Sequence, residues 1–225
     1  MTMKAYLELS EIELMEQATT CQRDRLLIRL LSRLGCRISE ALALKVEDID
    51  FDQSTVTILH LKRTVKVLCP ICGVRLSTRH KFCPGCGLKV SETIRSQQER
   101  RRIRVLPVDE ATLTMLMSYI HILASSDSDS ILFQINRHRA WQIVRDCARG
   151  AGLPSLVNPE TGRARGISPH RLRDAFSVHA MKVDDSGDGL RLLQEHLGHQ
   201  SFNTTARYRK IAGEEHRQWY DGLWR

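Results

Sequence analysis

The chain has 225 residues, a formal net charge of +8, and 42% hydrophobic but only 5% aromatic residues. This hydrophobic share is enough to bury a sizeable core, so we expect a globular protein. No apolar run approaches the roughly 20 residues that cross a bilayer, and the first residues lack the apolar stretch of a signal peptide, which favours a cytoplasmic protein without membrane contact. Most of the positive charge is arginine, whose planar guanidinium group matches phosphate oxygens. Nucleic acid is therefore the first partner to consider, against the simpler alternative of a solvated basic surface.

The first half of the chain predicts helices followed by two strands. Residues 10–13, Ser-Glu-Ile-Glu, have the pattern of a capping box and predict the start of a first helix. An amphipathic helix then ends at Gly35, and a short helix follows at once. β-branched residues predict a strand from Thr55 to Leu61, and the next extended run covers 102–108.

The second half of the chain is helical nearly to its end. Apolar spacing predicts helices at 110–123, 137–152, 169–183, 187–198, 202–211 and 214–224. A long polar loop at 157–168 precedes Pro169, which suits the first turn of a helix. The pattern predicts an α+β fold, mainly α, in which packed helices accompany one small antiparallel sheet.

Four of the seven cysteines form two Cys-Pro-x-Cys-Gly knuckles, at Cys69, Cys72, Cys83 and Cys86. This is the ligand spacing of a zinc ribbon, which we place at residues 66–92. Because all four ligands are cysteine and none is left for water, we expect a structural Zn²⁺. His80 is better explained as a basic surface residue than as a further ligand. The other cysteines are scattered through helical pattern, which favours a reducing compartment over a disulfide scaffold.

Two segments near the end of the chain carry groups suited to an anion. His170 and Arg173 are three residues apart at the start of a helix, where the helix dipole is positive. His199 follows the helix-ending Gly198, and Tyr208 lies on the next helix among basic neighbours. A lone tyrosine is usually a packed side chain, but these neighbours favour a phosphate-facing role.

Three boxes of the sequence together resemble the tyrosine recombinases, in their Xer-type and phage-integrase branches. The segment LGCRISEALALKVEDID, with Arg37 and Glu40, is similar to the first box of that family. HRLRDAF is similar to its His-x-x-Arg box, and HLGHQSFNTTARY to the box that runs to the nucleophilic tyrosine. The resemblance implies a recombinase catalytic domain over residues 1–225 and double-stranded DNA as the partner.

The family's reaction, which the resemblance implies for this chain, is transfer of a DNA phosphodiester to a protein tyrosine. Tyr208 would attack phosphorus and form a 3′-phosphotyrosyl bond, and His170 would accept the phenol proton. Arg37 and Arg173 would clasp the nonbridging oxygens, on which charge grows in the transition state. The phosphotyrosyl bond conserves energy for resealing, so neither ATP nor a catalytic metal is implied.

The remaining roles fall on a lysine, a second histidine and two carboxylates. Lys62, at the end of the first predicted strand, would give a proton to the departing 5′ oxygen, because the family carries its lysine on such a hairpin. His199 would donate a hydrogen bond to a phosphate oxygen, while Glu40 and Asp174 would orient the basic groups. The ribbon replaces the tight turn expected after the lysine, so Lys66 or Lys89 remain alternatives.

The ribbon is best explained as an elaborated turn of the lysine hairpin. A segment of about 20 residues cannot bury its own core, and bound zinc contributes roughly 10 to 16 kcal/mol to the folding of small ribbons. Arg75, Arg79 and Lys81 suggest that the ribbon follows the DNA backbone. Two alternatives to DNA contact remain: the ribbon only stabilises the hairpin, or it contacts another protein.

Two further expectations concern the ends of the chain. Few residues precede Arg37, so we expect no N-terminal core-binding domain in this chain. The C-terminal segment resembles the tail that family members pack onto a neighbouring subunit, with Trp219 and Trp224 as anchors, which implies a tetramer on DNA. Packing of these tryptophans onto their own domain is the alternative.

The alternatives for function are a non-catalytic zinc-ribbon protein that binds or regulates DNA on a recombinase-like fold, and a topoisomerase-like relaxing enzyme. The relaxing enzyme shares the first cleavage step with recombination. All the reactive positions are filled in this sequence, which favours an enzyme over the non-catalytic protein.

Overall fold

The computed structural model describes residues 4–59, 67–77, 80–90, 103–123, 130–158, 161–199 and 201–212. It divides into two compact units, Met1–Ile58 with Arg104–Arg225, and Leu59–Ile103. Each unit has its own cluster of buried residues. None of the helices in the described ranges combines the length and apolar character that a bilayer crossing demands.

The helices of the described residues belong to the larger unit. They are α1 (Leu9–Gln17), α2 (Gln22–Arg33), α3 (Ile38–Ala41), α4 (Glu110–Leu123), α5 (Arg137–Gly150), α6 (Pro169–Val183), α7 (Gly187–Leu197) and α8 (Phe202–Ala212). A 3-10 turn covers Val46–Asp48.

Short strands complete the fold. They are β1 (Ile49–Asp50), β2 (Thr55–Leu59), β3 (Val67–Leu68), β4 (Arg75–Leu76), β5 (Ile103–Pro107), β6 (Leu156–Val157) and β7 (Ala164–Arg165). One sheet has the order β1-β2-β5, with β1 and β2 antiparallel, and two antiparallel hairpins join β3 to β4 and β6 to β7. The expected α+β fold, mainly helical with small antiparallel sheets, is confirmed.

Helix α2 is the centre of the main core. Its apolar residues Leu26, Leu27, Ile28, Leu30 and Leu31 are fully buried. The helix is covered on several sides because α1, α4 and α6 all pack against it. Burial of side chains of this size contributes about 2 kcal/mol each, so α2 is a rigid support for the segment that follows it.

A second, smaller core lies between α6, α7 and α8. It consists of Val178, Met181, Leu190, Leu193, Leu197 and the ring of Tyr208. The three helices pack directly against one another. The ring of Tyr208 is thus held by apolar contacts, which fixes where its hydroxyl group lies.

Two local expectations differ from the structure. The first helix begins at Leu9 with Glu8 as its N-cap, and Glu11 accepts the Glu8 backbone N–H, so the capping pattern at Ser10 was placed two residues late. The polar loop at 157–168 contains the hairpin of β6 and β7. Its two strands have only two residues each, which is too short to show an alternating pattern, and backbone hydrogen bonds between Asn158 and its partners Arg163 and Gly162 close the turn.

A buried ion pair joins α1 to α2. The guanidinium group of Arg29 donates to Glu16, with 2.7 Å between Nε and Oε1, and the Glu16 side chain is 3% exposed. We expect Glu16→Ala to lower the free energy of unfolding by about 3 kcal/mol, because it leaves a largely buried cation without this partner. The measurement is denaturant unfolding. Glu195→Ala, which removes an exposed pair with Arg191, is the control and should change stability by less than about 0.5 kcal/mol; equal effects of the two variants would contradict the prediction.

Candidate active site and metal site

Glu40 fixes the position of Arg37. Arg37 is the N-cap residue of α3, and its backbone N–H donates to Oε2 of Glu40 at 2.8 Å. The Arg37 side chain donates from Nη1 to Oε1 of the same carboxylate, also at 2.8 Å. Burial alone would raise the pKa of Glu40, but the Arg37 backbone N–H and the charges of Arg104 and Arg37 outweigh burial and lower that pKa. Glu40 is therefore a fixed anion that holds Arg37.

Arg104, on β5, is the second partner of Glu40 and was not expected from the sequence. Its Nη2 donates to Oε2 of Glu40 at 2.8 Å, and its Nη1 donates to the backbone carbonyl of His196 on α7. The Arg104 side chain is 9% exposed. This one side chain thus joins the Arg37 segment to the last turn of α7. The sequence indicated this role only weakly. Arg104 is a charged residue on the same face of β5 as the buried Leu106, which is an unusual place for a charge.

Arg173, on α6, is buried with uncharged acceptors. Its Nη1 donates to the carbonyl of Gly35 at 2.6 Å, and its Nη2 donates to the carbonyl of Leu197 at 2.7 Å. Nη2 also lies 3.1 Å from Nε2 of His199. Burial first, and then the positive charges of Arg37 and Arg104, lower the pKa of Arg173 to about 10. The group still carries its charge at neutral pH.

His199 is a neutral histidine between Arg173 and α8. Burial, followed by the charges of Arg173, Arg37 and Arg104, lowers its pKa to about 4. Because Nε2 faces a guanidinium donor, Nε2 is the acceptor, and Nδ1 carries the proton toward Oγ1 of Thr205 at 2.9 Å. This assignment of the tautomer follows from the hydrogen-bond partners.

Tyr208 lies beside these groups with its hydroxyl group bonded to a carboxylate. Its ring is nearly parallel to that of His199, with 6.4 Å between centroids. Its Oη donates to Oδ1 of Asp174 at 2.9 Å. Burial first, and then the charge and hydrogen bond of Asp174, raise the pKa of Tyr208 above its usual value. The phenol is therefore protonated in this state.

His170 lies at the rim of the same site. Its side chain is 65% exposed, and its Nδ1 is 3.8 Å from Oδ1 of Asp174. A cavity of about 480 Å³ opens here, and His170, Arg171, Asp174, His199, Arg207 and Tyr208 are among its lining residues. The cavity presents several cationic side chains to solvent beside the phenol.

The structure thus brings together five of the six residues named as catalytic from the sequence. Arg37, His170, Arg173, His199 and Tyr208 all belong to this cluster, and the charges of Arg37, Arg173 and His170 each act on His199. Lys62 and its alternative Lys66 lie outside the described residues. Lys89 pairs with Phe82 in the smaller unit. The identity of the lysine therefore stays a prediction.

The smaller unit holds the four-cysteine cluster. The Sγ atoms of Cys69, Cys72, Cys83 and Cys86 all lie within 4.8 Å of one another. The Sγ distances Cys69–Cys86 and Cys72–Cys83 are 3.5 Å and 3.4 Å. Tetrahedral zinc with bonds of about 2.3 Å separates its sulfur ligands by about 3.8 Å, so the cluster fits such an ion.

Backbone hydrogen bonds shape the two knuckles in the same way. Gly73 N–H donates to the Cys69 carbonyl and Gly87 N–H donates to the Cys83 carbonyl, each at 2.9 Å. The backbone N–H of Cys72 lowers the pKa of the Cys69 thiol to about 6, whereas Cys72 and Cys86, despite their own backbone hydrogen bonds, have a pKa raised by hydrogen bonds among the four sulfur atoms. Of these three cysteines, Cys69 is thus the one that most readily becomes a thiolate in the absence of metal. His80 is outside the cluster, and its Nδ1 accepts from the backbone of Ser77.

Comparisons with known proteins agree with this arrangement. The model of the phage integrase family matches residues 6–215. The tyrosine recombinase XerC of Roseiflexus sp. (strain RS-1) is 29% identical over 204 residues, which are 91% of this chain and 52% of the relative. The chain spans about half the length of the curated relatives it matches.

Two solved structures share the fold. The catalytic domain of bacteriophage HP1 integrase matches with a TM-score of 0.55 and 17% identity, over 97% of this chain and 94% of that chain. A post-cleavage complex of the XerH site-specific recombinase bound to a palindromic difH substrate matches with a TM-score of 0.61 and 19% identity, over 99% of this chain and 54% of that chain.

The low pKa of His199 gives a testable pH dependence. In the unfolded chain a histidine titrates near pH 6.5, whereas the folded His199 takes a proton only near pH 4. Between these values the unfolded state binds more protons, so His199 makes the folded protein less stable as the pH falls from about 6.5 to 4. We expect the free energy of unfolding of His199→Gln, measured by denaturant unfolding, to fall less between pH 6.5 and pH 4 than that of the wild type. The exposed His138 is the control position, and a His199 resonance that titrates near pH 6.5 would contradict the prediction.

Proposed function

The chain belongs to the phage integrase family of tyrosine recombinases, and from this membership and the site geometry we propose that it cleaves and rejoins DNA strands through a 3′-phosphotyrosyl bond to Tyr208. The observation that carries the proposal is the environment of Arg173. This guanidinium group is 3% exposed, and its hydrogen bonds within the described residues go to two carbonyls and a neutral imidazole. A buried cation with uncharged acceptors favours binding of an anion.

The anion we propose is one phosphate of the DNA backbone. Arg37 is the most accessible of the three guanidinium groups, with 27% of its side chain exposed, so the phosphate would enter from its side. Arg37 and Arg173 would bind the nonbridging oxygens, and Arg104 would act through Glu40 by holding Arg37 in place. Fixed guanidinium groups stabilise the charge that grows on these oxygens without having to reorganise.

The covalent step exchanges one phosphodiester for another. Oη of Tyr208 attacks phosphorus, the bond from phosphorus to the 5′ oxygen breaks, and the departing oxygen takes a proton for which Lys62 stays our predicted donor. When His199 carries a proton on Nε2, that nitrogen would no longer accept from Arg173 and would instead donate a hydrogen bond to a phosphate oxygen. The 5′ hydroxyl of the same strand or of another strand then attacks the phosphotyrosyl bond, which releases Tyr208 and rejoins the DNA. The exchange conserves bond energy, so ATP is not needed, and the guanidinium groups take the part that a catalytic metal plays elsewhere.

Site-specific recombination is the proposed use of this chemistry. The XerH structure that shares the fold is a complex with its difH substrate after cleavage. By analogy we propose double-stranded DNA as the partner, and assembly into a tetramer on that DNA. The tail with Trp219 and Trp224, the expected subunit contact, lies outside the described residues.

For the four-cysteine cluster we propose a structural Zn²⁺. Its ligands would be Cys69, Cys72, Cys83 and Cys86, whose sulfur separations fit a tetrahedral ion. The ion would stabilise the smaller unit, where the buried cluster found in 67–77 and 80–90 consists of Cys69, Leu76 and Cys83, with Leu88 and Val90 packed against it. A core of that size does not hold a fold together alone.

Removal of the nucleophile tests the proposed function. Tyr208→Phe keeps the ring in its apolar pocket and removes the attacking oxygen, so we expect it to form no covalent adduct with DNA. The substrate is a pool of nicked duplexes with randomised sequence, in which cleavage near the nick releases a short 5′-hydroxyl fragment and traps the adduct. The measurement is labelled DNA that stays with the protein in denaturing gels.

The matched control is Tyr119→Phe. The Tyr119 hydroxyl group donates to the Leu132 carbonyl in the main core and is not part of the site, so adduct formation should persist. An adduct that survives Tyr208→Phe contradicts the assignment of the nucleophile. If the wild-type protein binds the pool but forms no adduct, the non-catalytic alternative is favoured.

Metal content tests the second site. We expect about one zinc per chain in protein handled without added metal, and a near-complete loss in Cys83→Ser, because a hydroxyl group does not replace a thiolate ligand. Elemental analysis gives the ratio. Cys21→Ser changes an exposed cysteine outside the knuckles and should keep its zinc. Equal zinc in both variants, or none in the wild type, would contradict the prediction.

A further inference from the structure

The atom that the proposed reaction uses, Oη of Tyr208, gives its hydrogen bond to a carboxylate. The distance from Oη to Oδ1 of Asp174 is 2.9 Å. We propose that Asp174 is a catalytic residue that accepts the phenol proton as Tyr208 attacks phosphorus. This inference rests on the proposed function and names the base for it. The expectation from the sequence was that His170 accepts the proton and that Asp174 only orients its neighbours.

Asp174 has the features of an oriented base. It is 5% exposed, and its second oxygen, Oδ2, lies 2.7 Å from Nη1 of Arg171. This bond leaves Oδ1 directed at the phenol. A nucleophile within hydrogen-bond reach of a base, which a third group holds in place, is the usual arrangement for activating a hydroxyl group. Tyr208, Asp174 and Arg171 form such a series.

His170 does not hold the equivalent position. Its Nδ1 is 3.8 Å from Oδ1 of Asp174, which is beyond a hydrogen bond, and most of its side chain is in solvent. When Asp174 takes the phenol proton its negative charge is lost, and the nearby Arg171 remains to stabilise the phosphate. Burial lowers the pKa of His170, so its proposed part is a hydrogen bond to the phosphate, whereas Asp174 accepts the proton.

The proposed step is balanced as follows. The bond from Oη of Tyr208 to phosphorus forms, the bond from phosphorus to the 5′ oxygen breaks, and the Tyr208 proton moves to Oδ1 of Asp174. The 5′ oxygen takes a proton, for which Lys62 stays the predicted donor. In rejoining, the 5′ hydroxyl attacks phosphorus and gives its proton back to that donor, the phenolate leaves, and Asp174 returns the proton to it. The residue is thus a base in cleavage and an acid in rejoining, as microscopic reversibility requires.

Several titratable or charged groups face Tyr208 and Asp174 from the surrounding elements. They are Tyr6 from the N-terminal segment, Arg165 on β7, His170, Arg171 and Arg173 on α6, His199 after α7, and Arg207 on α8. Arg173, with its pKa of about 10, stays charged in the neutral range. His199, with its pKa of about 4, stays neutral there. Burial lowers the pKa of His170 from its ordinary value, against the opposing charge of Asp174, so Asp174→Asn lowers that pKa further. The comparison therefore rests on the range above pH 7, where a histidine with a lowered pKa is mainly neutral in both proteins.

The test measures the rate of adduct formation on the nicked duplexes from pH 6 to 9. It compares Asp174→Asn with the wild-type protein. Asparagine preserves shape but accepts no proton, so the variant must rely on the small fraction of phenolate, which grows tenfold per pH unit. We expect a rate lower by about 100-fold or more at pH 7. The ratio of wild-type to variant rates should then fall by up to about tenfold for each unit of rising pH.

A second variant tests the same role by rescue. Asp174→Ala leaves space beside a cavity of about 480 Å³, so added formate should restore part of the rate, while chloride at equal ionic strength should not. Asp188→Asn, which changes an exposed aspartate on α7, is the control and should match the wild type at every pH.

A ratio that is constant with pH, together with no rescue by formate, would overturn the proposal, because a purely structural loss lowers the rate equally at all pH values. A variant rate equal to or above that of the wild type at pH 7 would overturn it as well, since Asp174 would then only restrain the phenol. These outcomes are distinct from failure of the proposed function, in which the wild type forms no adduct or the adduct survives Tyr208→Phe.

Discussion

The site depends on how the protein keeps arginines buried close together without neutralising them. A buried guanidinium group needs acceptors for its N–H groups, and a carboxylate for each would cancel the charge. Here several acceptors are backbone carbonyls at the ends of helices. Arg173 binds the carbonyls of Gly35, just after α2, and Leu197, the last residue of α7, and Arg104 binds that of His196. Terminal carbonyls lack partners within their helix and carry the negative end of its dipole. They stabilise the cations and leave positive charge for a phosphate.

This arrangement explains why a glycine ends each of the two helices. Gly35 and Gly198 both have positive φ, at 56° and 65°, a conformation that turns the chain sharply and leaves the last carbonyls accessible. These turns also leave little room for a side chain. A Cβ at Gly35 would lie 2.5 Å from the ring of Phe176, and a Cβ at Gly198 would lie 3.0 Å from the Arg104 side chain. The two Leu-Gly turns are therefore part of the anion site, although neither glycine has a reactive group.

The site residues predicted from the sequence are those whose chemical role only a few residue types can fill. Arginine, histidine and tyrosine at family spacing identified Arg37, Arg173, His199 and Tyr208, and paired knuckles identified the cysteines. Arg104 was missed because its role depends on contacts with Glu40 and His196, which are distant in the chain and adjacent only after folding. The hydrogen bond between Asp174 and Tyr208 could not be predicted, because the two residues are 34 positions apart and meet only after folding. Regular helices were predictable from apolar spacing, but the hairpin of β6 and β7 has no such pattern.

The raised pKa of Tyr208 is consistent with the proposed reaction, which would have to run in both directions. A phenol is ordinarily much more acidic than a sugar hydroxyl group, so phenolate is the better leaving group and a phosphotyrosyl bond is the less stable of the two esters. Burial and the negative charge of Asp174 disfavour the phenolate and thereby narrow this difference in acidity. A site that instead strongly lowered the pKa of Tyr208 would speed attack but would make the covalent intermediate less stable relative to intact DNA. A carboxylate that keeps the phenol protonated at rest and accepts its proton during attack would support cleavage without that cost, and it would already be in place to return the proton when the strand is rejoined.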